Sequence, residues 1–190
     1  MATNRYIFQT ELEGFVNVFE DSGKYNNRCF GYTIPDDVVA KMEEDREELL
    51  DWVRTKSNGR VSEALPPWDE KNLAKYSYGE GDGSSKPKPE PVFIDTDNEP
   101  IDRAVLKDMR KTTRVELVVQ QKPYTFGKTI GTSLRVLVVQ VLELATGNGA
   151  IDSGVISLED AAAMVSKKKG YKQSEPAPQD GRTDSEGYDF

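Results

Sequence analysis

The stretch from Leu134 to Leu144 limits the fold more than any other. It is the most apolar run of the chain and is built on Val136, Val138, Val139, Val141 and Leu142. It is far shorter than the ~20 residues a membrane span needs. β-Branched side chains favour extended backbone, so the run predicts a strand buried on both sides. Arg114 to Gln121 alternates, with Val115, Leu117 and Val119 on one face. Lys122 to Thr132, with Gly127 and Gly131, connects the two strands.

Other strands follow from the same reasoning. Arg5 to Glu20 alternates loosely through Tyr6, Phe8, Leu12, Phe15, Val16, Val18 and Phe19, with Gly14 as a bulge or bend that lets one strand serve two parts of a small barrel. After a turn at Asp21-Ser22-Gly23-Lys24, Tyr25 to Ile34 reads as a second strand. Arg28, Phe30 and Tyr32 share one of its faces, and Cys29, Gly31 and Thr33 the other. Val92-Phe93-Ile94 is a short strand. Pro35, Asp36 and Asp37 suit a helix start, Val38, Val39, Met42, Leu49, Leu50 and Val53 make its stripe, and Asn58-Gly59 ends it. Leu65 to Pro91 is rich in Gly and Pro and reads as a long loop, although it holds Trp68, Tyr76 and Tyr78. Ile101 to Met109 fits a short helix or an irregular segment. Five strands, with one long helix inserted after the second, suit a mainly β, five-stranded Greek-key barrel.

Charge divides the chain further. The net charge is −8. Yet Arg103 to Arg135 holds eight basic side chains against only Asp108 and Glu116. Pro35 to Ser57 carries the opposite excess, and Tyr171 onward is again acidic. Residues 1–147 are expected to form the domain. Residues 148–169 are a linker in which Ser157 would cap a short helix over Leu158 to Val165. Residues 170–190 are too polar to build a core and are expected to be a disordered acidic tail. The chain has no histidine, which removes the commonest general base and metal ligand. Catalysis and cofactors are not expected. Cys29, the only cysteine, has no partner for a disulfide. With no apolar leader after Met1, a cytoplasmic location is expected, that of the host cell if the chain is phage-encoded.

Three groups of residues carry a resemblance. The first is Gly23-Lys24-Tyr25 followed by Ile34-Pro35-Asp36. The second is Val92-Phe93-Ile94-Asp95 with Glu99-Pro100-Ile101. The third is Gly127 to Leu134 running into Val138-Val139-Gln140-Val141-Leu142. Together they resemble the phage OB-fold single-stranded-DNA-binding proteins. The end of the chain, Asp184-Ser185-Glu186-Gly187-Tyr188-Asp189-Phe190, is similar to the acidic, Phe-terminated tails of phage and bacterial single-strand-binding proteins, without the run of aspartates and penultimate proline of the bacterial form. The resemblance implies an OB-fold, sequence-independent binding of single strands, and a role in phage DNA replication or recombination. It also implies a tail whose Asp184, Glu186, Tyr188, Asp189 and Phe190 engage replication proteins such as polymerase or helicase-primase. Carboxylates mimic phosphates, and a terminal ring with its carboxylate suits an apolar, basic pocket. A homo-oligomer fits the same reading.

Single-strand binding needs a basic track and rings on which bases stack. The candidates are Tyr25, Arg28, Phe30, Tyr32, Trp68, Tyr76, Tyr78, Lys122, Tyr124, Phe126, Lys128 and Arg135. Lys122 to Lys128 is the best local cluster, because it alternates cation and ring across a hairpin loop. Phe30 and Tyr32 also suit a barrel core, but Arg28 on their face favours exposure. Trp52 reads as helix packing, and Trp68 fits either role. Asp95, Asp97, Glu99 and Asp102 would suit a Mg²⁺-dependent nuclease, but Pro100 and Leu106 break the calcium-loop pattern and the cluster reads as a capped turn. A third reading is an acidic protein that mimics DNA.

Overall fold

The computed structural model describes residues 4–83 and 88–145. The expected linker helix and the acidic tail, including Asp184, Glu186, Tyr188, Asp189 and Phe190, lie outside the described residues. The chain builds β1 (Asn4–Ser22), β2 (Asn27–Thr33), α1 (Asp36–Lys56), β3 (Ser62–Glu63), β4 (Leu73–Tyr78), β5 (Val92–Ile94), α2 (Arg103–Leu106), β6 (Arg114–Phe126) and β7 (Thr129–Glu143).

Among the described residues one sheet contains all the strands, in the order β3-β7-β6-β1-β2-β4, with β5 also on β7. β1 serves two neighbours. Asn4–Glu11 pairs with β6, and from Leu12 onward the strand pairs with β2. Gly14 (φ +66°) stands where the β1–β2 register shifts, between Glu13 and Asn17. Glycine takes this left-handed conformation without a Cβ clash, so the strand bends there. β3 and β5 run parallel to β7 at its two ends, at Thr129–Ile130 and Val138–Gln140. β4 closes on β2 in an antiparallel ladder and also approaches β7. The fold is mainly β and OB-like, with few helices.

The sheet holds seven strands where the sequence suggested five. β3 is a two-residue addition. β4 is the substantive correction: it lies inside the segment 65–91, expected to be a loop. Its pattern puts Ala74, Tyr76 and Tyr78 inward and Leu73, Lys75 and Ser77 outward. Only six residues show that alternation, between stretches dense in Gly and Pro.

Inside the sheet Leu12, Phe30, Tyr32, Ile34, Leu117 and Val119 are wholly removed from solvent. Phe30 meets Tyr76 and Tyr78 edge-on at 6.2 and 6.4 Å between centroids, and the two tyrosines stack at 5.6 Å. Buried ring pairs of this kind add about 0.5–1.5 kcal/mol beyond their area. The buried face of α1 carries Val39, Met42, Leu49, Leu50 and Val53 and packs on β1, β6 and β7. A polar pin fixes its position. The Tyr6 hydroxyl donates to Asp45 at 2.6 Å and lies 3.1 Å from Gln121, whose amide donates to Thr132. Burial, and then the Asp45 carboxylate, push the Tyr6 phenol far above its ordinary range. Among the described residues no helix is long and apolar enough to cross a membrane.

Candidate nucleic-acid interface

Strands β6 and β7 form a hairpin that turns at Gly127 (φ +59°) and Lys128. Alternation along β6 puts Lys122, Tyr124 and Phe126 on one face. Tyr124 pairs with Gly131, and a Cβ at Gly131 would fall 2.6 Å from the tyrosine ring. Glycine there lets the ring lie down on the partner strand. Tyr124 keeps 38% of its surface exposed, and Phe126, nearer the turn, keeps 80%.

The end of α1 faces this hairpin. Leu50, Val53 and Ile130 form a small buried cluster with Val61 against it, which holds helix and hairpin at a fixed separation. Beside the cluster opens a cleft of about 540 Å³ whose lining includes Trp52, Lys56, Arg60, Tyr124 and Lys128 and no carboxylate. Trp52 is 39% exposed, and the Lys56 ammonium sits 3.8 Å above its ring. The cleft thus offers three cations for phosphates and two rings for bases, the combination sequence-tolerant single-strand binding requires. Lys122 and Lys128 are exposed.

Tyr25 lies on the β1–β2 turn, 58% exposed, with the Lys24 ammonium 5.5 Å from its ring. It too is available to a ligand. Several other candidates are not. Phe30, Tyr32, Tyr76 and Tyr78 belong to the core, and Trp68 is buried beside Ala74. The reason is register: alternation along β2 turns Phe30 and Tyr32 toward the core, while on the opposite side Cys29 is buried as well and a Cβ at Gly31 would strike the Glu13 carbonyl at 2.8 Å. Arg28 follows them. It is 9% exposed, stacks on Tyr78 at 4.9 Å, and donates to Asp21 at 2.9 Å and Glu90 at 2.8 Å. Burial opposes its charge, but Glu90, Tyr78 and Asp21 outweigh that and raise its pKa. The cation that argued for an exposed face is a neutralised core residue. Arg135 is half-buried, close enough to Tyr76 to oppose the upward pull of burial on that phenol.

The sequence reading took Trp52 for helix packing and passed over Lys56 and Arg60. Their signal was present: Trp52 and Lys56 are four apart, hence neighbours on one helix face.

The carboxylates near β5 form a turn. Asp95 Oδ1 accepts from the amides of Asp97 at 2.8 Å and Glu99 at 3.0 Å, and Asp102 caps the Ala104 amide. Among the described residues no group of three carboxylate or cysteine side chains could hold a metal ion.

No family model matches the chain. No curated protein matches it either. Solved structures do. One is gp2.5, a single-stranded-DNA-binding protein encoded by bacteriophage T7: 16% identity, TM-score 0.55, over 91% of this chain and 100% of that one. Another is the single-stranded-DNA-binding protein of bacteriophage Enc34 in complex with single-stranded DNA: 8% identity, TM-score 0.52, over 75% of this chain and 88% of that one. At these identities the likeness is one of fold.

Proposed function

We propose that this chain is a sequence-independent single-stranded-DNA-binding protein of phage replication and recombination, and not an enzyme. The observation that carries the proposal is the cleft between α1 and the β6–β7 hairpin, where Lys56, Arg60 and Lys128 surround Trp52 and Tyr124 with no acid in the lining. Phosphates neutralise the cations and release counterions, while bases of any identity stack on the rings. Lys122 and Phe126 extend the track along the hairpin, and Tyr25 with Lys24 supplies a second loop contact. The sheet acts as a partly open Greek-key barrel whose loops border the strand, as in other OB-folds. Two phage proteins with this fold are named as single-stranded-DNA-binding proteins, one of them bound to DNA.

In this reading residues 1–147 bind and protect the strand in the host cytoplasm. The acidic end from 170 to 190 competes with DNA for the basic track and recruits replication proteins through Phe190. Asp95, central to the nuclease reading, accepts two backbone amides within its own turn.

The test is fluorescence anisotropy of labelled oligo-dT and of matched duplex at two salt concentrations, with the full chain and with a chain ending at Gly170. Strand-selective, salt-sensitive binding that tightens without the tail is expected. Absence of binding by both chains would leave the DNA-mimic reading ahead.

A further inference from the structure

A second surface joins rings to cations far from the cleft. In the outer half of β1, Val18 is buried and Val16 packs on the core, so Phe15 and Phe19 project from the opposite face. Phe15, beside the Gly14 bend, is 71% exposed. Phe19 carries two cations: the Arg103 guanidinium and the Lys107 ammonium each lie 6.0 Å from its ring centroid. Arg103 also donates to the Phe19 carbonyl at 2.9 Å. The ring and the carbonyl orient these cations before any ligand arrives. Arg110 and Lys111 follow in the same exposed segment, against Asp102 and Asp108, and Asp102 is occupied as the cap of α2.

We propose that this β1–α2 surface is a second contact for the same single strand, with Phe15 as a stacking ring and Arg103 and Lys107 as phosphate ligands. The inference rests on the single-strand-binding reading of the cleft. The occupant is nucleic acid because an exposed ring, four residues along the strand from two cations held at Phe19, offers both interactions an extended strand needs, and the segment from Asp102 to Lys111 sets Arg103, Lys107, Arg110 and Lys111 against Asp102 and Asp108. Phe15 follows Asn4, the residue nearest the hairpin end of β1, by on the order of 35 Å of strand at ~3.3 Å per residue. A short oligonucleotide fills one surface only, whereas a long one engages both.

The experiment uses the full chain and oligo-dT of about 6 and about 30 nucleotides, lengths that bracket the ~4–16 nucleotides one OB-fold covers. Phe15→Ala and Lys107→Glu change exposed side chains, and circular dichroism reports whether each variant keeps the fold. The double variant should lose at least about fivefold in affinity for the long oligonucleotide and keep wild-type affinity for the short one. Wild-type affinity for both lengths would overturn the inference and leave the cleft standing. So would an equal loss at both lengths. If the unaltered protein binds neither length, the single-strand reading itself fails and this inference falls with it.

Discussion

The β2–β4 ladder and the α1–hairpin cleft are made from the same kinds of residue, and they end in opposite surroundings. The ladder sets Phe30, Tyr32, Tyr76 and Tyr78 beside Arg28, and the cleft sets Trp52 and Tyr124 beside Lys56, Arg60 and Lys128. In the ladder every ring is buried, and the cation is shared between Asp21 and Glu90. In the cleft two rings stay open and no acid lines the wall. Whether an aromatic–cation cluster is buried or stays open is therefore decided by register and by carboxylates from distant segments, not by its composition.

The largest effect should come from the ladder. Phe30→Ala or Tyr76→Ala should cost about 3–5 kcal/mol of stability in urea unfolding. Phe126→Ala on the hairpin should stay within about 0.5 kcal/mol of the unaltered protein. Equal losses would erase the distinction between the regions.

The rings of the cleft come next. Trp52→Ala and Tyr124→Ala should each weaken oligo-dT binding by about 1–3 kcal/mol with little change in melting temperature. A loss of fold without a loss of affinity per folded molecule would move these rings into the core.

The two cation types separate by salt dependence. Lys128→Ala should reduce the slope of log affinity against log salt by about one. Arg28→Ala should leave that slope unchanged and cost about 1–3 kcal/mol of stability, the loss of charge-assisted hydrogen bonds. A changed slope for Arg28 would place it at the strand after all.

The smallest effect tests the interior of the ladder. The Tyr32 hydroxyl is buried without a hydrogen-bond partner among the described residues, and burial raises its pKa above the ordinary 10. The folded state keeps this proton where the unfolded chain releases it, so the group's contribution is intact below pH 10 and declines as pH rises above it. Tyr32→Phe should be neutral or slightly stabilising at pH 7 and should flatten the loss of stability above pH 10. An unchanged alkaline profile would contradict the assignment.

Much of this was legible in the sequence, for physical reasons. The valine run of β7, the Gly14 bend and the Pro35-Asp36-Asp37 helix start are local signals, and local sterics decide them. The hairpin that carries Lys122 to Lys128 was legible because its alternation is also local. What failed was long-range. Nothing near Arg28 reveals that Glu90, 62 residues away, neutralises it. The inward turn of Phe30 and Tyr32 goes with their pairing to Tyr76 and Ala74 on β4, neighbours only after the sheet forms. Trp52 looked like packing because half of a helix face usually is. It is exposed because the hairpin meets a different side of the same helical turn, at Leu50 and Val53.

The two tryptophans sit on opposite sides of the comparison, Trp52 in the cleft at 39% exposure and Trp68 in the core at 8%. The most direct measurement is a fluorescence titration with oligo-dT of two variants that each keep one of them, Trp68→Phe and Trp52→Phe. Saturable quenching in the protein that retains Trp52, with a flat signal in the one that retains Trp68, is the expected result. Quenching of Trp68 alone, or of neither while anisotropy still reports binding, would contradict the placement of the strand in the cleft.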